Sequence, residues 1–294
     1  MVCSAIMHCV CVPGRPMDHH ATRRRRPRSA SVERMLAILD GQVQAPDQAH
    51  IPITDEGLLR GDGVFEVMRL YGGRPFALED HLTRMARSAE NLRLDLDEAA
   101  LRADLQTLVE ANDQPEAALR LLVTRGGRRI GLIEALPDTS PPIALATIPY
   151  APTRVLDAVK SLSYAGNMLA SRLAVERGAD EALLVSPHGR VLEGPTSSFF
   201  CSLDGETLST PPLDDHVLDS ITRRRLMSLC AVSERPIAVD ELAGAREAFL
   251  ASTLREVQAV AAIDEITLSA APGPLTGAAA TAFAEHVERE LAVG

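Results

Sequence analysis

Tryptophan is absent from the 294 residues, and aromatic side chains make up only 3% of them. The core therefore has to be built from Leu, Val, Ile and Ala. Long apolar runs are missing too: no stretch reaches the roughly 20 residues that a membrane-spanning helix needs. Positive charge is in deficit, with 30 Lys and Arg against 40 Asp and Glu, a net charge of −10. Residues 1–34 hold seven arginines against Asp18 and Glu33, a net +5, so the rest of the chain carries −15. An acidic body of that kind argues against nucleic acid as the main partner. Cysteines number five, and Cys201 and Cys230 stand far apart in apolar contexts. That suits free thiols in a reducing cytoplasm, not a disulfide framework. Lysine is the rarest charged residue. Lys160 stands alone among 30 basic residues.

A chain that uses arginine everywhere else keeps one primary amine. Arginine serves as well as lysine for surface charge, but a guanidinium stays protonated and is a poor nucleophile. A buried amine can lose its proton, attack a carbonyl and form a Schiff base. The residues before Lys160 (Val155, Leu156, Ala158, Val159) are apolar, a setting that depresses a lysine pKa.

Residues 1–34 differ in character from the rest of the chain. Cys9-Val10-Cys11 with His8 fits no zinc spacing and has no second pair, so no metal site is assigned. The apolar stretch is too short and too interrupted for a secretory signal. This segment is read as a disordered tail or a mis-called start, with the folded chain beginning near Met35.

From Met35 the pattern becomes regular. Leu36–Leu39 predicts a strand, and alternation around Gly72-Gly73 predicts a hairpin over 61–78. Leu78, Leu82, Met85, Ala89 and Leu92 recur at helical spacing, which puts His81 and Arg84 on one face. A second helix is predicted at 97–112, with strands at 117–124 and 142–149. Pro149, Pro152 and Thr153 mark a linker. This divides the chain into two domains, 35–150 and 151–294, the second opening with the Lys160 segment. There the pattern gives a helix at 166–178, strands at 181–185 and 190–193, and a further strand after Gly194. A helix then starts at Asp219-Ser220, with a strand at 247–251 and a final helix at 275–291. Strands mixed with helices in both halves indicate an α+β or α/β two-domain protein, with ligands commonly bound between the domains.

A Schiff-base lysine suggests pyridoxal phosphate, which makes further demands. Its ring nitrogen needs an acid, its phosphate needs N–H donors and an arginine, and its ring faces need packing. Glu193, at a strand end before Gly194, is a candidate acid; alone, it reads first as a turn carboxylate. Ser220-Ile221-Thr222-Arg223 at a helix start offers donors to a phosphate, or simply an N-cap. Ser252-Thr253 adds hydroxyls, and Arg84 is either a phosphate ligand or a solvated helix charge.

These pieces, in this order, resemble the class IV aminotransferases (fold type IV pyridoxal phosphate enzymes) from Met35 to the C-terminus. The resemblance is carried by Gly61-Asp62-Gly63-Val64-Phe65-Glu66, His81-Leu82-Thr83-Arg84, Lys160-Ser161-Leu162, Glu193-Gly194, Ile221-Thr222-Arg223 and Ser252-Thr253. It implies that Lys160 is the Schiff-base lysine and proton shuttle, and that Glu193 pairs with the pyridine nitrogen. Arg84, the Ile221 and Thr222 backbone, Ser252 and Thr253 would hold the phosphate, and Leu218 would pack on the ring. It also implies a homodimer acting on amino acids and 2-oxo acids. Phe65 and Arg125 are the candidate substrate-binding residues. Phe65 stands where D-amino-acid aminotransferases have a tyrosine and branched-chain enzymes a phenylalanine. Val123-Thr124-Arg125-Gly126 looks D-enzyme-like, though Arg128, Arg129 and Ile130 do not match the downstream pattern. The expected activity is transfer between an apolar, branched-chain-like amino acid and 2-oxoglutarate. D-amino-acid transfer and aminodeoxychorismate cleavage stand as alternatives on the same site. A non-enzymatic binding protein using the basic N-terminal tail is a remote third.

Overall fold

A computed structural model describes residues 35–293. The readings of the tail, of Cys9 and Cys11, and of a tail-mediated partner lie outside them. In chain order the first elements are β1 (Leu36–Leu39), β2 (Gln42–Gln44), α1 (Glu56–Arg60), β3 (Gly63–Tyr71) and β4 (Arg74–Pro75). Then come α2 (Leu78–Leu92), α3 (Glu98–Ala111), β5 (Ala117–Thr124) and β6 (Arg129–Glu134). The six strands form one antiparallel sheet in the order β2-β1-β6-β5-β3-β4.

Alternation along β3 decides how this sheet packs. Val64, Glu66, Met68 and Leu70 are fully buried on one face, where α2 and α3 cover them with Leu82, Met85, Leu101 and Leu108. Each such aliphatic side chain contributes about 1.5–3 kcal/mol of burial. Phe65, Val67, Arg69 and Tyr71 occupy the opposite face, as the period of two requires.

The second sheet contains β7 (Ile143–Pro149), β8 (Glu181–Val185), β9 (Ser198–Ser202), β10 (Leu208–Thr210), β11 (Val232–Glu234), β12 (Glu247–Ser252), β13 (Glu256–Ile263) and β14 (Ile266–Thr267). Their order is β11-β10-β9-β12-β13-β7-β8, with β14 paired to β13. The helices are α4 (Ala165–Glu176), α5 (Ile221–Leu229) and α6 (Pro274–Val293). Most of the scarce aromatics gather where α5 and α6 cover this sheet. Phe200 and Phe249 stack at 4.8 Å, and Phe76 meets Phe283 edge-on.

Three differences from the sequence reading have physical causes. The strand at Ile143–Pro149 precedes the linker yet pairs in parallel with β13 and β8, so it belongs to the second sheet. Residues 190–193 do not form a regular strand. They return alongside β8 through Leu192 N–H to Leu184 O (2.8 Å), Leu184 N–H to Glu193 O (2.9 Å) and a bridge at Val185 and Val191. Strands β6 and β13 had no counterpart in the sequence pattern. Arg128-Arg129 and Gly131 obscure the alternation of β6, and no turn residue announces β13.

Cys201 is buried and Cys230 half-buried, both as free thiols. No helix among the described residues is long and apolar enough to cross a membrane.

Candidate active site

The segment bearing Lys160 is not free-standing. Phe65 N–H donates to Lys160 O (3.0 Å), Leu162 N–H donates to Gly63 O (2.9 Å), and Ser161 bridges Val64 in antiparallel register. The lysine is thus sewn onto the exposed edge of β3 at its first residues. Glycine at position 63 is what permits this approach. A Cβ there would meet the Val123 carbonyl and lie 2.6 Å from Leu162 Cδ1.

The Lys160 side chain enters a cavity of about 620 Å³, within the usual size range of small-molecule sites. Its Nζ sits 4.3 Å from the Phe65 ring centroid and 5.7 Å from that of Tyr164. Those two rings pack edge to face at 5.1 Å. No carboxylate lies within ion-pair distance of the amine among the described residues. Burial, reinforced by the Arg84 charge, pulls its pKa from 10.5 down to about 8, against the opposing pull of Glu66 and Glu193. This is the setting in which lysine becomes a nucleophile near neutral pH.

Glu193 lines the same cavity. Burial raises its pKa to about 7, with the Leu218 N–H acting the other way through a 3.1 Å bond to Oε1. A buried carboxyl poised near neutrality can share a proton with a ring nitrogen.

Arg84 is no solvated charge. It is 5% exposed. Its Nε and Nη2 donate to Glu66 at 2.6 Å each, and Nη1 donates to Asp219 O at 3.2 Å. His81, on the same helix face, meets Glu66 Oε2 at 2.7 Å. Burial opposes ionisation of Glu66, but Arg84 and His81 overcome it and hold the group at about 2. Arg84 is thereby aimed at the start of α5. There Ser220 caps the helix by accepting from Arg223 N–H, and Ile221 and Thr222 are buried in the first turn. The first N–H groups of that turn have no carbonyl within the helix to accept them.

The cavity thus brings together Phe65, Arg84, Lys160, Glu193, Leu218, Ser252 and Thr253, with Ile221 and Thr222 directly behind Ser220. Arg125 is not among them. It is held outside by Asp62 (2.9 Å) and the carbonyls of Leu92 and Arg93. Two arginines that the sequence reading passed over do line the cavity, Arg120 and Arg255. Tyr164 also lines it, its hydroxyl donating to Pro195 O at 3.0 Å.

An aminotransferase class IV family profile matches residues 63–263. The chain belongs to that family. It is 32% identical over 282 residues to a D-alanine aminotransferase of Bacillus licheniformis, a match covering 88% of this chain and 99% of that one. It is 34% identical over 256 residues to a putative branched-chain-amino-acid aminotransferase of Methanocaldococcus jannaschii, covering 78% and 88% respectively. Among solved structures, the PLP-bound form of a hypothetical aminotransferase from Mycobacterium tuberculosis superposes with a TM-score of 0.78. It has 25% identity, over 87% of this chain and 99% of that one.

This class IV aminotransferase is therefore a pyridoxal-phosphate-dependent enzyme, and the donor set fits the cofactor. An amine without an acid partner, a carboxyl near neutrality, a helix start beside an arginine, and hydroxyls at a strand end share one cavity. Ser197 and Ser198 are lining residues of the same cavity. Their Oγ atoms are shielded from solvent and have no hydrogen-bond partner among the described residues, an exception to the usual pairing of buried polar atoms.

Proposed function

We propose that this enzyme transfers the amino group between an apolar, branched-chain-like amino acid and 2-oxoglutarate, with Lys160 as the catalytic residue. The observation that carries the reading is one face of the first sheet. Phe65 and Val67 line the cavity from β3, and Arg120 lies directly across from Val67 on β5. Apolar side chains and a cation thus stand side by side. Arg120 uses Nε on Glu134 Oε2 (2.7 Å), while its terminal nitrogens have no hydrogen-bond partner among the described residues. An apolar side chain would rest on Phe65 and Val67, and the distal carboxylate of 2-oxoglutarate would reach Arg120. Charge-assisted bonds of that kind suit an arginine fork.

The cofactor, when bound, supplies the electron sink that makes the substrate Cα–H acidic. The chain supplies the rest. Lys160 Nζ holds the cofactor and moves the proton to and from Cα. Glu193 holds a proton at the ring nitrogen. Arg84, the N–H groups of Ile221 and Thr222, and the hydroxyls of Ser252 and Thr253 bind the phosphate, while Leu218 covers a ring face. The half-buried Leu122, Ile130 and Leu132 on the same sheet face as Arg120 suit a second copy of the chain, making a homodimer. The free thiols suit a cytoplasmic location.

A second reading, D-amino-acid transfer, is favoured by the likeness to the D-alanine enzyme. Phe65, which lacks a hydroxyl, and the sequestered Arg125 count against it. Turnover of L-leucine, L-isoleucine or L-valine with 2-oxoglutarate tests the proposal. Turnover of D-alanine alone would replace it with the second reading, and pyruvate release with 4-aminobenzoate would replace both.

A further inference from the structure

One face of β3 does two things. Its first residues, Phe65 and Val67, line the cavity; its last two on that face, Arg69 and Tyr71, both reach the Glu256 carboxylate, and Arg69 also meets Glu116 through Nη2 at 3.2 Å. Arg69 Nη1 donates to Glu256 Oε1 at 2.7 Å, and the Tyr71 hydroxyl donates to the same oxygen at 2.5 Å. The Arg69 guanidinium also lies over the Tyr71 ring, 4.5 Å from its centroid. Glu256 comes directly after the turn between β12 and β13, where Ser252 pairs across from it. Ser252, Thr253, Leu254 and Arg255, the residues of that turn, all line the cavity. The turn is held on its other flank as well, by Arg255 Nη2 on Glu181 Oε2 at 2.9 Å.

The backbone at Glu256 is unusual. Its φ of 53° is left-handed, a conformation that glycine adopts freely and other residues at a cost. Closing a short hairpin loop is a common use for glycine in that conformation. A glutamate there is disfavoured by the backbone and is tied by its side chain to the other sheet.

We propose that Glu256 is a positioning residue: clamped by Arg69 and Tyr71, it fixes the Ser252–Arg255 turn so that its hydroxyls face the cofactor phosphate. It touches neither cofactor nor substrate. The clamp links the strand beneath Lys160 to the turn opposite, so both walls of the cavity keep one spacing. The proposal rests on the reading of Ser252 and Thr253 as phosphate ligands.

Three variants of the full chain test it, Glu256→Gly, Tyr71→Phe and Thr253→Ala. The measurements are the pyridoxal phosphate dissociation constant by absorbance titration and the unfolding temperature without cofactor. Glu256→Gly relieves the backbone while removing the clamp. It should bind the cofactor roughly tenfold more weakly, the scale seen when an outer partner orienting a ligand-contacting group is lost, with an unfolding temperature unchanged or higher. Tyr71→Phe, which leaves the turn sequence intact, should weaken binding in the same direction. Thr253→Ala should weaken it too. If Thr253→Ala weakens binding while Glu256→Gly and Tyr71→Phe bind as wild type, the role given to Glu256 is overturned. It is also overturned if binding falls only together with the cofactor-free unfolding temperature. Unchanged binding in Thr253→Ala overturns the phosphate-ligand reading beneath it.

Discussion

Glu66 holds Arg84 by two parallel bonds of 2.6 Å, Nε to Oε1 and Nη2 to Oε2, with both side chains buried. This fork joins the first strand of the cavity wall to the helix that aims a cation at the start of α5. Removing one partner leaves the other charge buried and uncompensated. Glu66→Gln should therefore cost about 3–5 kcal/mol of stability, measured by urea unfolding of the full chain. A loss within a few tenths of a kcal/mol of zero would show that the fork is not structural.

The same pair sets an acid dependence. Glu66 is held at about 2, below its ordinary 4.5, so the unfolded chain takes up this proton before the folded one. Its contribution to stability is full above about pH 5 and is lost as the pH falls through about 2. His81, which burial pushes below its ordinary 6.5, acts in the same direction. Unfolding midpoints measured from neutral pH downwards should fall more steeply for the wild type than for Glu66→Gln. Parallel curves would contradict the assignment.

With one lysine in the chain, its titration can be read directly. Acylation of the cofactor-free protein, with peptide mapping to separate Lys160 from the N-terminal amine, should show Lys160 reactivity rising with a midpoint near pH 8. A midpoint near the ordinary 10.5 would mean that the cavity does not desolvate the amine.

Gly63 is where β3 and the lysine segment come closest. Gly63→Ala forces a Cβ against the Val123 carbonyl and Leu162 Cδ1. It should cost about 1–3 kcal/mol, as overpacking does, and displace Lys160 from Phe65. Loss of activity together with a lowered unfolding temperature is the expected outcome; a fully active, equally stable variant would contradict the contact.

Arg120→Gln removes the cation facing Val67 while leaving the apolar wall. The KM for 2-oxoglutarate should rise roughly tenfold or more, the scale of one hydrogen bond to a charged group, with a smaller change for L-leucine. Equal effects on both substrates would move Arg120 from the distal carboxylate to a group that the two share.

Much of this was legible in the chain because the signals were local. Gly72-Gly73 between alternating residues marks the β3 hairpin, helical spacing marks α2, Ser220 marks the start of α5, and the solitary lysine marks the cavity. What escaped depends on contacts distant in sequence. Arg120 reads as an ordinary solvent-facing residue of an alternating strand until β3 is laid beside it. His81 and Arg84 were visible as one helix face, but the carboxylate they share comes from β3, fifteen and eighteen residues earlier. Arg125 sits in a promising local string, yet Asp62 draws it away from the cavity. Glu256 gives no sequence signal at all, since only its backbone angle and two residues of another sheet mark it out.

The most direct test of the account is the visible absorbance of the full chain with pyridoxal phosphate, wild type beside Lys160→Ala, before and after L-leucine. The wild type should show a yellow cofactor band that changes on adding L-leucine, and the variant should lack it. A wild type without the band, or a variant that keeps it and still responds to L-leucine, would contradict the claim that Lys160 holds the cofactor and carries the reaction.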